Sequence, residues 1–140
     1  MQRMNKLQLI ILNDVGELRK LYIACENMAA EWLLPEKISM NINLVLEEII
    51  SNIIFYGYED DLEHEIKIDF RKENKEIIIS ITDDGKAFDM LSADVSAGID
   101  KPAGERKIGG LGIHFVKTLM DSVEYRREGN MNILTLHKNI

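Results

Sequence analysis

The chain has 140 residues, with 17 basic against 24 acidic side chains and a formal net charge of −7. At that length it buries roughly 68% of its unfolded surface, so its core needs no covalent or metal staple, and a lone cysteine, Cys25, excludes an intramolecular disulfide and a Cys-rich zinc site. The acidic balance excludes a general binder of nucleic acid or of an anionic membrane, and the apolar run Leu7 to Leu12 is too short for a signal segment or a bilayer span, so the expectation is a cytoplasmic protein.

Residues Lys6 to Asn13 are apolar and β-branched enough for a first strand. Asp14 with Glu17 three residues later resembles a capping box. The helix it opens carries Leu18, Leu21, Tyr22, Cys25, Met28 and Trp32 at helical spacing. Pro35 suits the first turn of a second helix, from about Glu36 to Tyr56, with Gly57 as its C-cap. The apolar surface of that helix is wide (Ile38, Ile42, Val45, Leu46, Ile49, Ile50, Ile53, Ile54), which predicts deep burial. Glu65 to Lys72 and Glu76 to Thr82 alternate as two strands of a hairpin about Glu73-Asn74-Lys75. From Asp83 to Gly110 the regularity stops, and five of the nine glycines fall in this stretch. A loop of that length in a small domain carries a function or is disordered. Leu111 to Met120 resumes a helix, and Val123 to Arg127 with Met131 to Lys138 forms a terminal hairpin about Gly129-Asn130. Helices beside hairpin strands predict an α+β two-layer sandwich, helices on one face of a mixed, mostly antiparallel sheet.

Three polar patterns interrupt this frame. Glu48 and Asn52 lie four residues apart, on one face of the apolar second helix. Burying an acid and an amide there is costly without partners. They either line a polar cavity, where the Asn oxygen suits Mg²⁺ and the carboxylate suits a general base, or they form a solvated helix face. Asp83-Asp84-Gly85-Lys86-Ala87-Phe88 follows a strand directly. Asp83 there accepts a hydrogen bond from an exocyclic amine while Gly85 lets a ligand ring approach the backbone closely, or the segment is an ordinary Asp-Gly turn. Gly109-Gly110-Leu111-Gly112-Ile113 opens a helix behind Arg106 and Lys107. Free N–H groups at such a terminus suit an anion, and a hinge before a core helix has the same composition. It is neither a Walker A loop nor a dinucleotide fingerprint. His64, His114 and His137 have no metal-ligand spacing, and His64, in an acidic stretch, is expected to be solvated.

The order of these patterns is more telling than any one of them. The segments LEEIISNIIFYGYED (46–60), ITDDGKAFD (81–89) and GGLGIHFVKTLMDSVEYRREGNMNILTLHK (109–138) resemble the GHKL, or Bergerat-fold, ATP-binding domain shared by histidine kinases, type II topoisomerases, Hsp90 and MutL. Within it the resemblance is nearest to the anti-sigma-factor serine/threonine kinases of the RsbW/SpoIIAB kind.

That resemblance implies a single ATP-binding domain over residues 1–140, with a mobile ATP lid at about 88–108. It implies Glu48 as general base on the acceptor hydroxyl and Asn52 as the Mg²⁺ ligand. Asp83 would receive the adenine amino group, with Gly85 beneath the base and Phe88 opening the lid. Gly109, Gly110, Leu111 and Gly112 would bring backbone N–H groups to the phosphates, and Arg106 or Lys107 would neutralise the γ-phosphate. The implied cofactors are ATP or ADP and Mg²⁺. The implied partners are a sigma factor and a STAS-domain anti-anti-sigma protein, with a homodimer by analogy and no direct nucleic acid or membrane. The implied activity is protein-serine/threonine phosphorylation joined to sigma-factor sequestration; a non-catalytic nucleotide-binding switch would use the same ligand set.

Overall fold

The computed structural model describes residues 5–89, 91 and 110–140, and of residues 110–114 the backbone alone. Strands β1 (Lys6–Leu12), β2 (Glu65–Glu73), β3 (Glu76–Asp83), β4 (Ser122–Glu128) and β5 (Met131–Asn139) form one sheet in the order β1-β2-β3-β5-β4. Helices α1 (Leu18–Glu31) and α2 (Glu36–Tyr56) join β1 to β2, and α3 (Gly110–Leu119) precedes β4. The architecture is the expected α+β, with one correction. The sheet is antiparallel at every pairing, not mixed. Two pairs, β2 with β3 and β4 with β5, are closed by tight turns. β5 then runs back between β3 and β4, so no parallel pairing arises.

Period-two alternation decides what faces the helices. Ile66, Ile68 and Phe70 of β2, Ile77, Ile79 and Ile81 of β3, and Leu134 and Leu136 of β5 are buried. They share one core with Leu21, Cys25 and Met28 of α1, five residues of α2, and Val116 of α3. Those five are Ile42, Val45, Leu46, Ile49 and Ile50, all at 0% exposure. Each such side chain stabilises the fold by about 1.5–3 kcal/mol, and truncating one to Ala costs about 2–5 kcal/mol. By length and composition alone α2 could cross a membrane; here one stripe of it is buried in the core while Met40, Leu44, Phe55 and Tyr56 are exposed, so the deep burial expected of the helix holds for one face only. Tyr22, expected on the buried stripe of α1, points out at 53% exposure. It follows Leu21 by one residue and so turns past the sheet-facing edge.

The helix ends refine the sequence reading. Asp14 caps a short 3₁₀ turn (Val15–Glu17) and accepts from Gly16 N. Glu17 does not close the box on Asp14; its carboxylate reaches back to accept from Leu12 N at 3.0 Å, tying α1 to β1. Gly57 does end α2, donating to Ile53 O at 2.9 Å. Its φ is −79°, so it is no left-handed cap. A Cβ there would stand 2.6 Å from Ile53 O, the carbonyl Gly57 caps. The two hairpin turns do use the left-handed region, at Asn74 (φ 55°) and Gly129 (φ 58°).

Candidate functional site

Alternation along β3 continues past its apolar residues. Ile77, Ile79 and Ile81 face the helices, so Asp83, the next in the series, does too. It is 5% exposed, one of two buried polar residues among those described. The other is Asn132, directly opposite it in register on β5. Asn132 continues the buried series Leu136, Leu134 in the same way. Two polar groups thus occupy core-facing slots at one end of the sheet, and they satisfy each other. Asn132 Nδ2 donates to Asp83 Oδ1 at 3.0 Å, and Gly85 N donates to the same oxygen at 2.8 Å. Both bonds land on Oδ1, which leaves Oδ2 as the open acceptor. Burial raises the Asp83 carboxyl above its usual range, against the lowering effect of the Asn132 and Gly85 bonds.

The segment after Asp83 lies against the end of α2. Lys86 N donates to Gly57 O at 2.8 Å. A Cβ on Gly85 would stand 2.5 Å from that same carbonyl oxygen. The chain needs glycine here for contact with the backbone of Gly57, a cause within the fold that differs from the approach of a ligand ring expected from the sequence. A second tie runs through His64. Its Nδ1 meets Asp84 Oδ1 at 3.0 Å, its Nε2 meets Asp60 Oδ1 at 2.7 Å, and its ring stacks on Tyr58 at 4.2 Å. His64 is therefore not the solvated residue expected: its side chain is only 14% exposed. The two aspartates raise its pKa, Asp60 foremost.

One and two turns before the end of α2 stand the expected amide and acid. Glu48 and Asn52 are half-buried, while Glu47 is exposed. Asn52 Nδ2 donates to Glu48 Oε1 at 3.3 Å. That bond spends the amide nitrogen and one carboxylate oxygen, and leaves Asn52 Oδ1 and Glu48 Oε2 for other partners. Phe88 is 52% exposed. Beyond it, Leu91 N donates to Asp89 Oδ1, and Lys117 of α3 donates to Leu91 O at 3.0 Å. Arg106, Lys107, Gly109 and most of the 88–108 stretch lie outside the described residues. Gly110, Leu111 and Gly112 form the first turn of α3, whose later residues pack against α2. Among the described residues no cluster of three or more His, Cys, Asp or Glu side chains is placed to hold a metal.

The profile of a family described as histidine kinase-like ATPase domain matches residues 11–138. The chain belongs to that family. Curated relatives of this histidine kinase-like ATPase chain include the serine-protein kinase RsbW of Listeria innocua, 25% identical over 103 residues, which are 71% of this chain and 66% of the relative. Another is the serine-protein kinase RsbW of Halalkalibacterium halodurans, 32% identical over 94 residues, 65% of this chain and 57% of the relative. The chain thus spans less than two thirds of the length of these relatives. Among solved structures, the RsbU and RsbW domains of Rv1364c from Mycobacterium tuberculosis superpose at TM-score 0.70 with 13% identity, over 97% of this chain and 32% of that one. The catalytic domain of histidine kinase ThkA superposes at TM-score 0.54 with 14% identity, over 97% and 96% of the two chains. These likenesses show the Bergerat fold.

The sequence singled out Asp83 and Gly85 but not the residues that hold them. Asn132 was legible in principle, as the polar residue in an inward slot of the alternating run NILTLHK. His64 and Tyr58 carried no such signal, because their loop has no period.

Proposed function

We propose that residues 1–140 act as one ATP-binding domain that phosphorylates a serine or threonine of a STAS-domain anti-anti-sigma protein and sequesters a sigma factor. The carrying observation is the half-satisfied Asp83, a buried carboxylate with one oxygen fully engaged and the other open, beside a glycine backbone. That open acceptor fits an amino-bearing purine. Asn52 Oδ1 is a hard oxygen ligand fit for Mg²⁺ and its water shell, and Glu48 Oε2 is left free to take a proton. With no three-residue metal cluster among the described residues, a cation here would be held chiefly by Asn52 and the ATP phosphates.

In this reading Asp83 orients the base and Gly85 lets it lie against the backbone. The bound cation would supply neutralising charge to the phosphates. Gly110, Leu111 and Gly112 open α3 with N–H groups that have no intrahelical partner, and these suit the phosphate oxygens. Gly109, Arg106 and Lys107 would add to the same anion site. Glu48 takes the proton from the acceptor hydroxyl as its oxygen bonds to the γ-phosphorus and the bond to ADP breaks. Residues 88–108, with Phe88 at the start, act as the lid that excludes water. The RsbW names of the relatives support the serine-kinase reading. A homodimer and a cytoplasmic location belong to the same proposal.

The test is incubation of the purified chain with γ-labelled ATP, Mg²⁺ and candidate STAS-domain proteins. Label on a partner serine or threonine, lost in Glu48→Gln while ATP still binds, supports the kinase. Saturable ATP binding without transfer to any partner overturns catalysis and leaves the nucleotide-dependent switch. Absence of saturable binding below millimolar overturns both.

A further inference from the structure

Asp83 and Asn132 are two members of a row that crosses three strands. Register places Arg127 of β4 opposite Asn132, so Asp83, Asn132 and Arg127 lie side by side at one end of the sheet. Arg127 Nη1 donates to Asn132 Oδ1 at 3.1 Å and to Gly85 O at 2.8 Å. Tyr125, also on β4, donates its hydroxyl to Asn132 Oδ1 at 2.6 Å. The nitrogen end of the same amide serves Asp83 Oδ1 at 3.0 Å, Gly85 O at 3.4 Å and Lys86 O at 2.9 Å.

An amide presents an oxygen at one end and an NH₂ at the other, and a half-turn exchanges them. A guanidinium has donors only. With Arg127 at one end, the Asn132 oxygen must face it, and the NH₂ must therefore face Asp83. Reversed, the amide would put an oxygen against a carboxylate and an NH₂ against a cation. Arg127 and Tyr125 thus hold the oxygen end of the amide, as Lys86 O and Gly85 O hold its NH₂ end, and the amide so held positions the carboxylate. Arg127 also pins the Gly85 carbonyl, fixing the backbone against which a base would lie.

We propose that Arg127, acting through Asn132, is a positioning residue that holds Asp83 as a hydrogen-bond acceptor and so sets the preference of the site for a 6-amino over a 6-oxo purine. The inference rests on the reading of Asp83 as the base acceptor. Without Arg127 the oxygen end of the amide and the Gly85 carbonyl each lose an anchor, Asp83 loses a nearby positive charge, and protonation converts its open oxygen from acceptor to donor. Among the described residues, the charged and titratable groups about Asp83 are Asp84 beside it on the chain, Tyr58 in the loop after α2, and Arg127 on β4. Asp84 is paired with His64, and Arg127 is the cation among them.

The experiment measures binding of ATP and of inosine triphosphate to wild type, Arg127→Met, Arg127→Lys and Tyr125→Phe at pH 6 and pH 8, with a thermal melt of each. Wild type should prefer ATP at both pH values. Arg127→Met should lose about tenfold in ATP affinity, more at pH 6 than at pH 8, with the ATP-to-inosine ratio falling toward one. Arg127→Lys, which keeps charge and donors, should recover most of that ratio. Tyr125→Phe should move it in the same direction but less, and it carries the test if Arg127→Met does not fold. An unchanged ratio and pH profile in Arg127→Met and Tyr125→Phe, while wild type binds ATP, overturns this inference alone. Failure of wild type to bind ATP overturns the nucleotide reading and this inference with it.

Discussion

A methyl group on Gly85 would stand 2.5 Å from the carbonyl oxygen of Gly57 and 2.9 Å from Asp83 Oδ1. The end of α2 and the end of β3 therefore touch through backbone, with no side chain between them. This contact sets the distance from the Glu48–Asn52 pair to Asp83, because both lie on rigid elements that meet there. Gly85→Ala should push the two apart. Overpacking of this kind costs about 1–3 kcal/mol, or a fall in Tm of roughly 2–8 °C for each kcal/mol. A thermal melt checks the stability, and an ATP titration should show weakened binding in the same protein. A variant as stable as wild type would mean that the loop yields easily and does not set the site.

The sequence made the layers legible because burial writes a period into them. Ile66, Ile68 and Phe70 announce a face, and so do the isoleucines of α2. Asp83 was found for the opposite reason, as a polar residue at the end of an apolar run. What stayed hidden was contact between segments far apart in the chain. Asn132 meets Asp83 across 49 residues, and His64 meets Asp84 across 20; neither distance leaves a mark on local pattern. Gly57 shows the same limit. Its position as a helix end was legible, but the bond its carbonyl accepts from Lys86 N, in another element, was not.

Asp83→Asn separates the role of the carboxylate in the fold from its role at the site. Asparagine keeps an oxygen for Gly85 N and Asn132 Nδ2, and replaces the open oxygen with an NH₂. Donor then meets donor at the base. Loss of a hydrogen bond to a charged acceptor predicts a drop in ATP affinity of about ten- to a hundredfold. The folded state raises the pKa of Asp83, so ionisation at neutral pH opposes folding and removing the charge relieves that cost. The melt should therefore be unchanged or higher while binding falls. A large loss of Tm would mark Asp83 as chiefly structural.

Asn52→Ala addresses the cation. If Asn52 Oδ1 is a ligand, ATP affinity in the variant should no longer differ between Mg²⁺ and a chelator, whereas wild type should bind more tightly with Mg²⁺. The substitution also removes the 3.3 Å bond to Glu48, so a small loss of stability is expected, about 0.5–1.5 kcal/mol for one hydrogen bond. Mg²⁺ dependence equal to that of wild type would show that Asn52 is no ligand.

His64 gives the fold a pH dependence whose sign is fixed by its neighbours. Asp60 and Asp84 raise its folded pKa above the ordinary value near 6.5. The stabilisation from this pairing is thus fully present below about pH 6.5 and is lost as pH rises through the raised value. Asp60 is lowered in turn, first by its bond to His64, so its share is present above roughly pH 4 and lost as pH falls through the lowered value. The combined contribution is largest between roughly pH 4 and 6.5. His64→Phe keeps a ring to stack on Tyr58 and removes both ion pairs. The gap in Tm between wild type and His64→Phe should be widest near pH 5.5 and narrow as pH approaches 9. A gap constant across that range would show that His64 acts by packing on Tyr58 alone, with no charge in the tie between the loop after α2 and Asp84.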